Sequence, residues 1–451
     1  MDRSDPGLVV GIDLGSQSAK VVVHDLAGAV VASAQRPLAA SVSPAPGQVE
    51  HPGDSLWDAL AAACSEAMAA LGPRVGEVRA VGLCGIRFCI ALLRADGSLA
   101  APVRSWMDTR RADDPPGDTA HVVASSAYLT ARLTGVVRDS SAAYALWQPR
   151  ADDLVEPGEV LGAVTADAAA ATGLPAGVPV VATANDKAVE ALGCGLLEPG
   201  PLLVSLGTFV ASMAVGPRSP AEGVAETGAS YWTNPAAVPG EVLLESTGVR
   251  RGMWTVSWVR DLVGHHVAGD GRAGDEVALG EAAAALPVGA DGLLCVPDWL
   301  APPDAPWRRG AFVGFDGRHG PAHLYRAVLE GLVLTVTGHA RSMADEVGLA
   351  VPSVVVSGGG GRSPLVLAMV AACLDRPVRA PVAPSAAGLG AALAAAVGVG
   401  LHPSWTAAVD AMVHLDDPVA PDPTWVAAYA DVRVRHAALV DGLDTVLREL
   451  R

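Results

Sequence analysis

Residues 9 to 20 read VVGIDLGSQSAK, an apolar strand that runs into Asp13, turns at Gly15 and continues through small polar residues to Lys20. A glycine turn lets the backbone approach an anion, and Ser16, Gln17, Ser18 and Lys20 supply donors around it. A carboxylate at a strand end can hold a hydrated divalent cation, which makes Asp13 the candidate metal ligand. The stretch is either a phosphate-gripping hairpin or a turn and nothing more. The basic residues weigh on that choice. Of 31 lysines and arginines only two are lysines, Lys20 and Lys187, and each stands in a stretch with polar groups at a strand end.

At 451 residues the chain is too long for one core and predicts two domains with a cleft between them. Hydrophobic residues make up 51% and aromatics only 4%, so the cores are packed from Ala, Val and Leu. A net charge of -17 argues against nucleic acid or an anionic membrane as partner, because either needs a basic face. Six cysteines without CxxC spacing read as buried thiols in a reducing cytoplasm. The opening MDRSDPG has no apolar run and predicts no signal peptide. The uncharged run from 386 to 401 covers only 16 residues and is rich in Gly and Ala, which favours a buried helix over a membrane span.

After the first hairpin a third strand through Val31 completes a meander, and Ser55 is placed to cap a helix with Leu56, Leu60, Cys64, Met68 and Leu71 on one face. Strands follow around 78–84 and 89–94, then an exposed loop at 111–119 and a helix from His121 to Leu133 ending at Gly135. The strand 178–182 ends in Thr183-Ala184-Asn185-Asp186-Lys187, with helix from Ala188. Open α/β sheets place their ligands at such carboxyl ends. Pro199-Gly200-Pro201 marks a boundary between domains 1–198 and 199–451, and LLVSLGT (202–208) then repeats the opening as strand, glycine and hydroxyl. Two such turns almost two hundred residues apart predict duplicated halves, each giving Gly15 or Gly207-Thr208 to a shared phosphate. Helices are expected from Arg250 to Val263, Pro321 to Val347 and Pro423 to Leu450. VVVSGGGGR (354–362) opens a strand through four glycines into a helix start, with room for a nucleotide.

Asp186 is the candidate general base, because phosphoryl transfer needs a positioned carboxylate more than a shifted one. A helix N-cap aspartate is the competing reading. Arg87, Phe88, Trp106, Asp108 and Arg110 form either a polyol pocket or an ion pair beside a core tryptophan. The Gly358 to Gly361 run lacks the GxGxxG pattern and its acidic ribose partner. His265 and His266 are expected on a surface loop without a metal. No nucleophile elbow or GxxxxGK loop is present in the sequence.

Together these motifs resemble, in order, those of the FGGY family of carbohydrate kinases. GIDLGSQSAK (11–20) is similar to the first phosphate motif, PGQVEHPGDSLWDAL (46–60) to the stretch before the first helix, and SWMDTR (105–110) to the sugar-side WxDxR segment. ANDKAVEALGCG (184–195) is similar to the segment with the catalytic aspartate, and SLGTF (205–209) to the second phosphate motif. GAFVGFDGRHGPAHLYRAVLEG (310–331), SGGGGRSP (357–364) and AAGLGAALAAAVG (386–398) resemble the signature, adenosine and connecting-helix motifs.

The resemblance implies a duplicated α/β fold of the actin, hexokinase and ribonuclease H type, with a nucleotide cleft between two domains. It further implies ATP and Mg2+ as cofactors and phosphorylation of a primary hydroxyl of a small sugar, a ketose such as the pentulose xylulose, or a polyol. Asp186 would be the base, with Arg87, Phe88, Trp106, Asp108, Arg110 and Asn185 around the sugar. Asp13, Gly15, Ser16, Gln17, Ser18, Lys20, Gly207, Thr208, Gly252, Gly358, Gly359, Gly360 and Arg362 would surround the nucleotide. A homodimer is left as a candidate assembly. Ile86-Arg87-Phe88 stands where xylulokinases carry Gln-Met-His and glycerol kinases Arg-Glu, so that Arg87 matches the latter and Phe88 does not, and the segments after Arg110 and Trp147 are short. A sugar sensor or scaffold of the same fold without transfer is therefore the alternative.

Overall fold

The computed structural model describes residues 7–110, 115–145, 147, 149, 153–216, 230–263, 272–302 and 304–450. His265, His266 and part of the 111–119 loop lie outside the described residues.

Two six-stranded sheets carry the chain. The first has the order Val160–Ala163, Pro179–Ala182, Val78–Cys84, Leu8–Leu14, Ser18–Asp25, Val30–Pro37; the second runs Tyr231–Pro235, Val242–Ser246, Val210–Val215, Leu202–Leu206, Val354–Gly358, Val378–Arg379. In each, the first strand pairs antiparallel with its hairpin partner on one side and parallel with a later strand on the other. The repeated strand-glycine-hydroxyl pattern therefore corresponds to repeated topology. The central strands are apolar on both faces because helices cover both, as mixed sheets with parallel centres require. Leu8, Val10 and Ile12 pack into one core and Val9 into another.

That second core joins the halves. The helix Ala386–Gly398 lies against the strands Leu8–Leu14 and Val78–Cys84 and against the helix Asp186–Gly193. Its Gly and Ala content follows from how near the backbones come. A Cβ on Gly390 would stand 2.0 Å from the Val189 carbonyl oxygen, and one on Gly82, in the facing strand, 1.9 Å from the Ala391 carbonyl oxygen. The 386–401 run is thus the expected buried helix, and no helix among the described residues is long and apolar enough to cross a membrane. All six cysteines are buried and free.

Several expectations shift. The segment expected as helix from His121 opens with a strand, His121–Ala124, in a four-stranded side sheet with Ile90–Leu93, Val103–Arg104 and Glu50–His51; helix begins at Ser125 and ends at left-handed Gly135. The β-branched pair Val122-Val123 favours that pairing over the helical spacing. Asp54 rather than Ser55 precedes the first helix, and its carboxylate instead accepts bonds from Tyr128 and Arg132. The long helix Pro321–Val347 has the expected bounds.

Candidate active site

Between the halves lies a cavity of about 1340 Å³. Both glycine turns line it, and they touch: Gln17 Nε2 donates to Thr208 Oγ1 at 3.0 Å. The first turn is closed by its own backbone, Gly15 N donating to Ser18 O, and the carbonyls of Gly207 and Thr208 in the second accept from Met253 N and Gly252 N. A Cβ added to Gly15, Gly207 or Gly359 would meet no atom nearer than 3.7 Å, so these positions leave open space on the cavity side.

Asp186 is the first residue of the helix Asp186–Gly193, and Asn185 is its cap. The Asn185 side chain accepts from Ala188 N and donates to the Ala142 carbonyl, while its own N–H donates to the same carbonyl. Asn185 therefore fixes where the helix starts and is absent from the cavity lining, which corrects its expected contact with sugar. Asp186 does line the cavity. Burial raises the affinity of its carboxyl for a proton; Arg87 and Lys187 oppose this, and Glu190 and Glu245 add to it.

Arg87 lies beside Asp186, with Nε 4.0 Å from Oδ1. Its two terminal nitrogens are taken by Glu245, at 2.5 and 2.8 Å, and Asn234 Nδ2 donates to the same carboxylate. The guanidinium sits 4.9 Å from the Phe88 ring and 4.8 Å from the Trp232 ring. Both residues of the pair are buried, at 7% and 0% exposure. Phe88 holds a left-handed φ of 62°, uncommon for a bulky residue and costing about 1–3 kcal/mol.

A second network joins the halves below the turns. Lys187 Nζ donates to Glu190 at 3.0 Å and to Ser205 Oγ at 2.7 Å, and Ser205 and Ser357 donate to Glu190. Burial pushes the Glu190 carboxyl up, but Lys187 and the hydroxyls outweigh it and hold it below its ordinary value. The helix carrying Asp186 is thereby tied to the strands that carry the second turn and the glycine run.

Of the other expected residues, Phe88, Trp106, Asp13, Ser16, Ser18, Lys20, Gly358, Gly359 and Arg362 line the cavity. Asp108 and Arg110 do not. Arg110 pairs with Asp108 and with Glu50, and Asp108 accepts from Val49 N; the competing ion-pair reading describes them. Gly360 is pressed against the Leu206 side chain, where a Cβ would come within 2.6 Å. Gly252 donates to the Thr208 carbonyl, and Val210 fills the space where its Cβ would go. Both glycines support the cavity wall from behind.

Sequence reading missed Glu245, Trp232, Glu190 and Arg250. Glu190 alone had a local signal: it is an acid on an otherwise apolar stretch of helix and stands one turn from Asp186 and Lys187.

Asp13 Oδ2 accepts from Ser385 Oγ at 3.3 Å. Burial pushes its carboxyl up to about 6 in spite of Lys20, with Asp186 and Glu190 adding to the rise. A buried carboxylate so placed fits a cation held mainly by water and phosphate oxygens. No group of three or more His, Cys, Asp or Glu among the described residues would enclose a metal by itself.

Duplicated sheets whose two turns meet over one cavity, with a carboxylate on a helix start inside it, fit a protein that holds a nucleotide between its halves. Comparison with known proteins is more specific. The model of the FGGY family of carbohydrate kinases, N-terminal domain, matches residues 8–114 and that of the C-terminal domain residues 202–399. "Uncharacterized sugar kinase YgcE" of Escherichia coli K12 is 40% identical over 438 residues, covering 91% of this chain and 88% of that protein. An "Autoinducer-2 kinase" of Yersinia enterocolitica is 30% identical over 67% of this chain and 61% of that protein. Among solved structures, xylulose kinase from Rhodospirillum rubrum aligns with a TM-score of 0.79 and 26% identity, over 98% of this chain and 100% of that one. The chain belongs to the FGGY family of carbohydrate kinases and is a sugar kinase. Nothing in the comparisons supports the sensor or scaffold alternative.

Proposed function

We propose that this chain transfers the γ-phosphoryl group of ATP to a primary hydroxyl of a small sugar, a ketose or a polyol, and that Asp186 is the general base. Domains 1–198 and 199–451 would close on the cavity and exclude water. The observation that carries this reading is the meeting of the two turns over a cavity that Asp186 also lines.

In the proposed arrangement adenosine lies along Gly358 and Gly359 near Arg362, and the phosphates lie between Gly15-Ser16 and Gly207-Thr208 with Lys20 alongside. Asp13 would hold Mg2+, which when bound supplies positive charge against the phosphate oxygens. The acceptor oxygen bonds to the γ-phosphorus as the bond to the β,γ-bridging oxygen breaks, and Asp186 receives the hydroxyl proton. A carboxyl whose proton affinity is raised by burial is better matched to that proton than a solvated one. Xylulose is one candidate acceptor, supported by the name of the Rhodospirillum rubrum structure.

Asp186→Asn tests the assignment. The expected result is a fall in kcat of about 10²- to 10⁴-fold with ATP affinity kept within about threefold. Turnover near that of the unaltered chain would overturn it.

A further inference from the structure

Most cations on the cavity wall are accounted for. Arg87 is neutralised by Glu245, Lys187 by Glu190, and Lys20 faces Asp13. Arg362 donates to the Pro384 carbonyl, beside the start of the helix Ala386–Gly398. Arg250 is different. It lines the cavity, donates once, to the Ala301 carbonyl at 3.2 Å, and lies 6.0 Å over the Trp106 ring. No carboxylate among the described residues pairs with it. Asp304 lines the same cavity without forming an ion pair to it. Burial and the neighbouring Arg251 hold its guanidinium below the ordinary value, the mark of a cation lacking its anion. In a chain with 48 acidic against 31 basic residues, a half-buried arginine without an acid is conspicuous.

Its position is fixed. Val249 is bridged to Val210 by two backbone hydrogen bonds, and Gly252 N donates to Thr208 O, so Arg250 is tied to the second phosphate turn. From there it reaches Trp106, which belongs to the other half of the chain. With phosphates at the turns and adenosine at the glycine run, the wall left for the acceptor includes Arg87, Phe88, Trp106, Trp232, Arg250 and Asp304. We propose that Arg250, shelved on Trp106, is an anion subsite for the acceptor, and that the acceptor is a sugar acid whose carboxylate it grips. The guanidinium fork matches a carboxylate with two parallel N–H donors, and the indole face suits the adjoining carbon chain. This rests on the kinase reading above and narrows its substrate class.

Initial rates with Mg-ATP on matched pairs test it: xylonate against xylitol, gluconate against sorbitol, and 2-ketogluconate against fructose, with xylulose included. An acid is expected to exceed its neutral partner by about 10- to 100-fold in kcat/KM. Arg250→Gln should erase that ratio, chiefly through the acceptor KM and with the ATP KM unchanged, while Arg250→Lys keeps part of it. Transfer to neutral acceptors alone would overturn the subsite and leave the kinase reading standing. An equal kcat loss for every acceptor would place Arg250 on the transferred phosphoryl group and likewise overturn it. Acid-selective thermal stabilisation without transfer, lost in Arg250→Gln, would support the subsite and refute transfer. Neither transfer nor acid-selective stabilisation would overturn both.

Discussion

Replacing Glu245 by alanine would leave Arg87 buried without its main partner. Both groups are almost wholly enclosed, and removing one member of such a pair costs about 3–5 kcal/mol, most of it the penalty of the remaining charge. Asp186 at 4.0 Å and the Phe88 and Trp232 rings still face the guanidinium, so the lower end applies, about 3 kcal/mol. For lobes of this size that lowers Tm by roughly 6–12 °C. Activity should fall too. The freed guanidinium turns to Asp186 and stabilises its charged form, undoing the effect of burial and weakening it as a proton acceptor, so kcat should fall by up to about tenfold. Arg87→Met combined with Glu245→Met separates the two effects. Removing both charges should bring Tm back to within about 3 °C of the unaltered chain, as for other buried pairs replaced by apolar residues, without restoring kcat. Thermal denaturation and steady-state rates at one pH suffice. A Glu245→Ala variant with Tm within about 2 °C of the unaltered chain and the same kcat would refute this account of the pair.

Glu190→Gln should lower Tm and reduce kcat by about tenfold, because Lys187 loses its paired charge and the Asp186 helix keeps only a weaker tie to the second half through Lys187 and Ser205; an unchanged kcat would show that the charged pair has no part in turnover. Gly82→Ala should cost about 3 kcal/mol or prevent soluble expression, since its Cβ meets a backbone oxygen, whereas Gly76→Ala, with open space around it, should leave Tm unchanged. Asp139 is buried and pushed up to about 6, so the folded chain binds its proton more tightly than the unfolded chain does. Its contribution to stability is complete below about pH 4 and is lost as pH rises through about 6. Asp139→Asn should therefore flatten the fall in Tm over that window; an identical Tm-pH profile for the two proteins would contradict the shift.

Local signals made much of the site legible. The strand Val78–Cys84 and the helix Pro321–Val347 follow from apolar periodicity and from proline at a helix start, and both have the expected bounds. The two glycine turns and Asp186 were found the same way, since a turn and a strand end are defined by a few neighbouring residues. Where the local signal was mixed, at His121–Ala124, spacing suggested helix and the neighbouring strand Ile90–Leu93 determined otherwise.

By itself, then, the sequence determined the duplicated hairpins, the carboxylate at the strand end and the glycine run, because each depends on contacts within a few residues. Tertiary structure alone decided which charges meet. Arg87 and Arg110 look alike along the chain, yet one is held by Glu245, 158 residues away, beside Asp186, and the other by Asp108 and Glu50 outside the cavity. Arg250 meets Trp106 and, among the described residues, pairs with no acid for the same reason. The energy of a charge is set by whatever the fold brings within a few ångströms of it in a water-poor interior, and no local pattern carries that information.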